Sequence, residues 1–242
     1  ASKSYIGVIF GMYVIMKAVD KKIKYQSIRI ILVAIVFFMG LAFQTKGNTV
    51  TGSGNWDNTG IWSGANIADN VSENVSMGNN LSITVRNTFS YTVGNVTTGN
   101  NNTVTIANGG TLNVGASGNP KNFTSNNDAT LYVYGTLIIW GDMDVNNKLT
   151  LVVTGTLIIK GNLNIKNEGN LSISGNVTVD GDFIGGNNTD LTVDGNLTVG
   201  GDLKVGNNSA IDGSGTVTVS GSCTDGNSSF CGTGPLPVSL LF

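Results

Sequence analysis

Histidine is absent from this chain of 242 residues, and other groups that commonly carry enzyme chemistry are scarce. A single arginine, Arg86, follows the basic N-terminal segment, and there are only two cysteines. Histidine is the commonest general base and the usual partner of a serine or cysteine nucleophile. We therefore expect no catalytic residues, no cofactor and no enzyme activity.

Proline is also rare, with three residues, whereas glycine is abundant, with 34. Frequent glycine and asparagine, together with β-branched residues, favour a chain of short strands and turns. Positive charge is scarce beyond the N-terminal segment, because fourteen Asp and Glu face only six Lys and Arg from Gly47 onward. An acidic surface repels phosphate, so we expect no nucleic acid partner.

Residues 1–45 are predicted to be a signal peptide with an upstream apolar segment. Five basic residues follow Met16 up to Arg29, and the apolar run 30–43 comes next. This order is typical of a signal peptide, here cleaved near Ala42, and it predicts secretion or display at the cell surface. A retained membrane anchor is the alternative, although the run is short for a spanning helix, which needs about 20 residues. Residues 1–15 are interpreted as sequence upstream of a start at Met16, or as a second apolar helix.

A repeat of about 20 residues predicts the fold of the central region. Residues 135–214 divide into four blocks of equal length, and a fifth begins at Gly215. Each block contains three pairs of alternating apolar residues, which predict three short strands. We therefore expect an all-β fold, a triangular parallel β-solenoid (β-helix) whose coils of about 20 residues rise by ~4.8 Å each. An N-terminal apolar helix or signal segment precedes it.

Residues one repeat apart are expected to stack in columns around a wholly apolar interior. The three apolar columns are Leu137, Leu157, Val177, Leu197, Val217; Met143, Leu163, Phe183, Leu203; and Leu131, Leu151, Leu171, Leu191, Ile211. The glycine column that begins at Gly135 marks one corner, where we expect backbone dihedrals closed to other residues, and the column that begins at Gly141 marks the next corner. A structural ladder of asparagines is predicted at Asn127, Asn147, Asn167, Asn187 and Asn207. It can be an internal amide ladder, or it can stabilise left-handed turns.

Both ends of the solenoid need a cap, since an open strand edge invites association. The predicted organisation is an N-terminal cap with irregular coils over residues 46–110, the regular solenoid over 111–222, and a C-terminal cap and linker over 223–242. We expect Trp56 and Trp62 to fold over the first coil. Cys223 and Cys231 lie close together in the sequence, and in an exported chain they favour a disulfide. Free thiols or a metal pair are the alternatives.

The termini of this region resemble a known class of secreted protein. Gly54-Asn55-Trp56, Trp62-Ser63-Gly64 and Asp69-Asn70-Val71 resemble the opening of secreted β-helix proteins of Bacteroidetes-type bacteria. Residues 234–242 resemble the linker before the sorting domain of their type IX secretion substrates. This resemblance implies export across both membranes and display at the surface or release. The glycine-led hexads also resemble bactofilin-like polymer proteins, which are typically cytoplasmic.

Outward-facing apolar side chains are expected on neighbouring coils where the regular repeat begins. They are Tyr132, Tyr134, Ile138, Trp140, Val152 and Ile158. Such a patch favours a cell-surface or extracellular partner, either a protein or a glycan. The alternative is that the irregular N-terminal region, or a retained apolar helix, packs over it.

An acidic row, Asp142, Asn162, Asp182 and Asp202, is the best carboxylate cluster. Stacked carboxylates repel one another unless they are solvated or bridged by a cation, so calcium is the alternative to a solvated corner. These patterns predict an exported structural or adhesive module at the cell surface, without catalysis. Two alternatives stay open: a glycan-binding or polysaccharide-processing β-helix, and a filament subunit that self-associates through its ends.

Overall fold

The structure, a computed structural model, describes residues 47–226, 230–231 and 238–241, all within the compact unit Thr45–Phe242. The predicted N-terminal helix or signal segment lies outside these residues. The described chain is all-β and winds through about eight turns as a parallel β-solenoid with three walls. The predicted fold class is confirmed for this part of the chain.

Each wall is a sheet that runs along the stack. Wall A contains Asn48–Val50, Val75–Met77, Val96–Thr98, Phe123–Ser125, Met143–Asn147, Leu163–Asn167, Phe183–Gly185, Leu203–Val205 and Cys223–Asp225. Wall B contains Gly54–Asn55, Ser82–Val85, Thr103–Ile106, Ala129–Val133, Leu149–Val153, Asn170–Ile173, Asp190–Val193 and Ile211–Asp212. Wall C contains Ser90–Val93, Thr111–Ala116, Thr136–Ile139, Thr156–Ile159, Asn176–Val179, Asn196–Val199, Thr216–Val219 and Val238–Leu241.

Short elements interrupt or close the walls. Two 3₁₀ turns, Thr59–Ile61 and Ser63–Ala65, follow the first strand of wall B. The strand Asn119–Pro120 pairs antiparallel with the end of Thr111–Ala116 and forms a small hairpin. Val238–Leu241 is antiparallel to Thr216–Val219, whereas the other strands of wall C pair in parallel.

The register confirms the predicted columns. Leu137 pairs with Leu157, Val177 follows, and the same step continues to Val217. The columns that begin at Met143 and Leu131 also consist of residues that pair in register from coil to coil. These side chains are buried because alternate residues of each strand face the interior.

The period is irregular before Phe123. Along wall A, Asn48 pairs with Val75, Val75 pairs with Val96, and Val96 pairs with Phe123. The first and third of these steps are therefore longer than the second, which is close to the regular period. The extra residues lie in the 3₁₀ segment of the first coil and in the hairpin of the third.

The corner glycines are explained by close packing, so the expectation of unusual dihedrals was wrong. Neither Gly135 nor Gly155 has a positive φ, and the same holds for their equivalents in later coils. Instead, a Cβ atom at Gly155 would overlap the carbonyl oxygen of Gly135 in the preceding coil. Glycine is needed because two backbones stack there without room for a side chain.

The interior is not wholly apolar, which corrects a second expectation. Thr98 and Ser125 are buried in wall A with their hydroxyl oxygens 2.6 Å apart. Asn102 is also buried, and its Oδ1 accepts from the Leu81 N–H at 2.7 Å while its Nδ2 donates to the Gly78 carbonyl at 2.6 Å. Since these groups bond to one another or to backbone, they are satisfied although buried.

Trp56 and Trp62 are buried at the N-terminal end, with 1% and 3% of their surface exposed. The indole N–H of Trp56 donates to the Ala68 carbonyl at 2.9 Å, and that of Trp62 donates to the Trp56 carbonyl at 2.8 Å. The Trp56 ring also stacks on Tyr91, the first inward residue of wall C, at 5.8 Å. This segment occupies the place where the first coil has no strand of wall C.

Candidate partner-binding surface

The predicted apolar patch extends from wall B, around the corner between walls B and C, to the far end of wall C, on the fourth and fifth coils. Tyr132 and Tyr134 lie at the end of one strand of wall B, with their rings 5.7 Å apart and 12° from parallel. Tyr134 is 39% exposed, and Tyr132 is half-buried. The strand ends at Val133, so Tyr134 stands at the corner itself.

The wall C side of the patch consists of Ile138 and Ile158, which pair in register on neighbouring coils. Both side chains are half-buried. Val152 pairs with Tyr132 in the same way on wall B. The register therefore places Tyr132 and Ile138 on one coil and Val152 and Ile158 on the next, as the sequence pattern predicts.

Trp140 lies at the end of wall C, just beyond Ile138 and Ile139. Its backbone N–H donates to the Val114 carbonyl at 2.9 Å, just before the hairpin that joins Gly115 to Pro120. Gly115 and Gly118 adopt positive φ values of 85° and 79°, which allow the chain to leave the wall and return. The Trp140 backbone thus bonds to the described strand that leads into the hairpin, and the Trp140 side chain is half-buried.

Polar residues bound this patch along the stack. Tyr132 pairs with Thr105 in the preceding coil, and Val152 pairs with Ser172 in the following one. On wall C, Asn113 precedes Ile138 and Thr178 follows Ile158. The apolar surface is therefore confined to two coils of walls whose other outward positions in these columns are polar. Confined apolar patches with a polar rim are typical of interaction sites.

The acidic row forms a hydrogen-bonded ladder at the corner before wall A. Asp142 Oδ1 accepts from the Asn162 N–H at 2.7 Å, and Asp182 Oδ1 accepts from the Asp202 N–H at 2.8 Å. Asn162 Oδ1 does the same for the Asp182 N–H at 2.9 Å, so Asp and Asn are equivalent there. The preceding glycines are required because a Cβ at Gly161 would overlap Asp142 Oδ1.

This ladder extends beyond the predicted row toward the N-terminal end of the stack. Asn74, Asn95 and Asn122 form its earlier rungs, with bonds of 2.8 to 3.0 Å. The last rung is Asp202, whose Oδ1 accepts from the Ser222 N–H at 2.7 Å. Hydrogen bonds from the Ser222 backbone and side chain lower the pKa of Asp202 below its ordinary value. The carboxylates therefore connect neighbouring coils through hydrogen bonds, which is a structural role.

The asparagine column lies at the corner between walls A and B, and its members are exposed or half-buried. The internal placement of the ladder was therefore wrong. Asn147 Nδ2 donates to Asn127 Oδ1 at 3.2 Å, and Asn167 Nδ2 donates to Asn147 Oδ1 at 3.1 Å. Higher in the stack, the backbone N–H groups of Asn187 and Asn207 donate to the side chains one coil earlier, at 3.1 and 2.9 Å.

The residue after each asparagine adopts a left-handed conformation. Asp128, Lys148, Glu168, Asn188 and Asn208 have φ values between 55° and 63°. Asn147 and its equivalents thus bond across coils just before a strained residue, so features of both predicted roles occur together. Lys148 Nζ is 3.8 Å from Asp128 Oδ1, an exposed ion pair that contributes little to stability.

A polar and aromatic cluster near the N-terminal cap was missed by the sequence patterns. Arg86 Nε donates to Asp57 Oδ1 at 3.0 Å, and Arg86 Nη2 bonds to Asp57 Oδ2. The guanidinium also lies 4.9 Å from the Phe89 ring centre, and Phe89 stacks on Tyr91 at 6.1 Å. The bonds from Arg86 lower the pKa of Asp57. Asp57 and Arg86 both lie before the regular repeat, so no periodicity connects them.

The predicted disulfide site lies at the opposite end. The structure joins Cys223 and Cys231 by a disulfide with Cα atoms 5.3 Å apart. Among the described residues, no group of three or more acidic or cysteine side chains converges on a point that could hold a metal ion. In the same part of the chain, no helix has the length and apolar content needed to cross a membrane.

Comparison with protein families, with curated proteins and with solved structures gives no match. The class of protein that the described residues define is a parallel β-solenoid. The resemblance to Bacteroidetes-type secreted proteins stays a prediction, and so does the predicted role of each surface residue.

Proposed function

We propose that this chain is an exported structural or adhesive module of the cell surface that works without catalysis. The observation that carries the proposal is the continuous stack of about eight turns, whose three walls and two side-chain ladders join each coil to the next. At ~4.8 Å per coil the described stack is about 40 Å long. A short, stiff rod of this kind holds a contact surface at a fixed distance from its point of attachment.

The chemistry of the acidic residues supports a non-catalytic role. Asp142, Asp182 and Asp202 each accept a backbone hydrogen bond from the next coil, so their lone pairs hold the corner together. A general acid or base needs a carboxyl group that is directed at a substrate, with its pKa near the working pH. The pKa of Asp202 is lowered, which takes it further below a neutral working pH. The sequence also offers no histidine to replace it.

Export is supported by the disulfide and by the sequence of residues 16–43. Disulfides persist in oxidising compartments outside the cytosol. A basic stretch followed by an apolar run such as 30–43 is typical of a signal peptide. Surface labelling of intact cells of the native host, followed by mass spectrometry, tests this directly. We expect labelled peptides from the solenoid; protein found only in the cytosolic fraction would contradict the proposal.

The patch around Tyr134 is the proposed contact surface, with an extracellular protein as the favoured partner class. The two stacked tyrosines also favour a glycan as the second candidate, because aromatic rings pack well against sugar rings. Tyr132→Ser/Tyr134→Ser is the test variant. Ser172→Ala/Ser174→Ala is the matched control, since these residues occupy the same two positions of wall B two coils later.

A glycan array and a binding assay on extracellular matrix proteins separate the two partner classes. We expect the tyrosine variant to lose at least about tenfold in affinity, as for aromatic residues at the centre of an interface. The serine control should bind like the wild type. Equal binding by all three proteins would show that the patch is not the contact surface.

Self-association into filaments is the remaining alternative, and it makes a different prediction. Negative-stain electron microscopy of the purified chain should show separate short particles if the caps block stacking. Filaments that lengthen with protein concentration would favour the polymer function instead.

A further inference from the structure

The last strand of wall A, Cys223–Asp225, begins with a cysteine that the repeat does not contain. Cys223 pairs in register with Leu203, so it continues the inward column that contains Phe183. It is half-buried and packs against the apolar core. A cysteine thus replaces the large apolar residue that each of the four preceding coils has at this position.

Cys231 returns to the end of the stack and is only 7% exposed. Its backbone N–H donates to Asp225 Oδ2 at 2.9 Å, on the same terminal strand. Its neighbour Phe230 is half-buried and packs against the core. The disulfide and this hydrogen bond therefore both attach Phe230 to the terminal strand of wall A.

The other two walls end differently. Wall C is continued by the antiparallel strand Val238–Leu241, which bonds to Thr216–Val219. Wall B ends one coil earlier, at Ile211–Asp212. Among the described strands, the last strand of wall A pairs with Leu203–Val205 alone, and strands at the end of a sheet open at lower free energy than central ones. The terminal strand of wall A thus depends on the disulfide-linked segment for cover.

We infer that the Cys223–Cys231 disulfide is a redox-sensitive latch that holds Phe230 against the last coil. A dithiol opens it by thiol–disulfide exchange: one thiolate of the reductant attacks a cysteine sulfur, the S–S bond breaks, and the other cysteine leaves as a thiolate. The second thiol of the reductant then closes its own disulfide. Two electrons pass to the protein, both cysteines end as thiols after protonation, and the dithiol is oxidised.

Opening the latch removes the covalent link through which Cys231 holds its neighbour Phe230 at the terminal strand. The loss is local, because each coil of a solenoid contacts only its neighbours. Residues 203–226 are expected to loosen, whereas the central coils stay closed. The disulfide thereby controls how readily one end of the solenoid opens, whereas the opening of the central coils does not depend on it.

Hydrogen–deuterium exchange of the full chain, with and without dithiothreitol, tests the latch. After reduction we expect peptides within residues 203–226 to exchange about 10- to 100-fold faster, and peptides within residues 143–179 to keep their rates. The Cys223→Ser/Cys231→Ser variant should exchange rapidly at this end without reductant and should not respond to it.

Phe230→Ala separates a latch from a simple crosslink. If the disulfide acts by holding Phe230, this variant should exchange faster at residues 203–226 while its disulfide is intact. Unchanged exchange in the wild type after mass spectrometry has verified reduction would overturn the proposal. Equal acceleration in all coils would also overturn it, because the disulfide would then stabilise the whole fold instead of one end.

Discussion

The irregular coils before Phe123 and the regular coils after it share one core and one Asx ladder, but they differ in the length of their loops. In the regular part, every coil repeats the same stacked glycines and the same Asx hydrogen bonds at a constant step. In the irregular part, steps of unequal length accommodate a hairpin, a tryptophan cap and a buried polar cluster. A solenoid therefore tolerates loops of different length as long as the inward columns stay in register.

The largest effect should come from the shared core. Leu157→Ala, in a regular coil, and Leu112→Ala, in an irregular one, both truncate fully buried side chains of the same wall C column. Each should lower the free energy of unfolding by about 2–5 kcal/mol. Urea unfolding followed by circular dichroism measures both. A much smaller loss for Leu112→Ala would show that the irregular coils are loosely packed and would break the comparison.

The crowded glycines, which occur in both parts of the stack, should give the next largest effect. A Cβ at Gly155 would overlap a backbone carbonyl, whereas a Cβ at Gly78 would have no neighbour nearer than the Leu81 Cδ1 atom at 3.6 Å. Gly155→Ala should therefore cost about 1–3 kcal/mol of unfolding free energy, as overpacking does. Gly78→Ala, at a glycine that is not crowded, is the control and should be neutral or slightly stabilising. Equal thermal denaturation of both variants would contradict the close-packing explanation.

The buried polar cluster gives a third comparison. Ser125→Ala should cost about 1–3 kcal/mol, because it leaves the buried Thr98 hydroxyl without its partner at 2.6 Å. Thr98→Val/Ser125→Val removes both hydroxyls and should be nearly neutral, since the regular coils already hold Val145 and Ile165 in this column. If the double variant is less stable than Ser125→Ala in urea unfolding, the two hydroxyls stabilise the fold by more than the hydrogen bond that they make to each other.

The smallest effect concerns pH. The pKa of Asp202 is lowered in the folded state, so the carboxylate stabilises the fold above its ordinary pKa of 3.8. This contribution is lost as the pH falls below that value through the folded pKa. Asp202→Asn should flatten the acid unfolding profile below about pH 4, because Asn162 bonds equally well at the same corner. Circular dichroism between neutral and strongly acidic pH should show the difference, and an unchanged profile would contradict the role of this bond.

The regular coils could be predicted because their period is constant. Alternating pairs such as Leu137 and Ile139 identify strands, and a constant step along the chain fixes which strands pair. The pattern also identified the patch around Tyr134, since outward positions follow directly from the inward ones. The reason for the corner glycines could not be predicted, because close backbone contact and unusual dihedrals select the same residue.

The sequence predicted that the coils near the N-terminal cap are irregular, but their contacts escaped prediction for a physical reason. Thr98 and Ser125 lie at inward positions, but their burial depends on a hydroxyl pair formed across the longer step of the third coil. Asp57 and Arg86 are 29 residues apart in the sequence, and they meet because the tryptophan segment folds over the end. Such contacts depend on loop conformation, which carries no periodic signal.

Spin-label distances along wall C test the central claim, that each coil adds one strand spacing to the stack whatever its length in sequence. Thr92 and Thr178 are four registers apart, and Thr92 and Thr218 are six apart. Cysteine pairs at these outward positions, labelled while the native disulfide is oxidised, should give distances near 19 and 29 Å by pulsed electron paramagnetic resonance, about 4.8 Å per coil. Distances that do not increase with the number of registers would contradict the stacked solenoid.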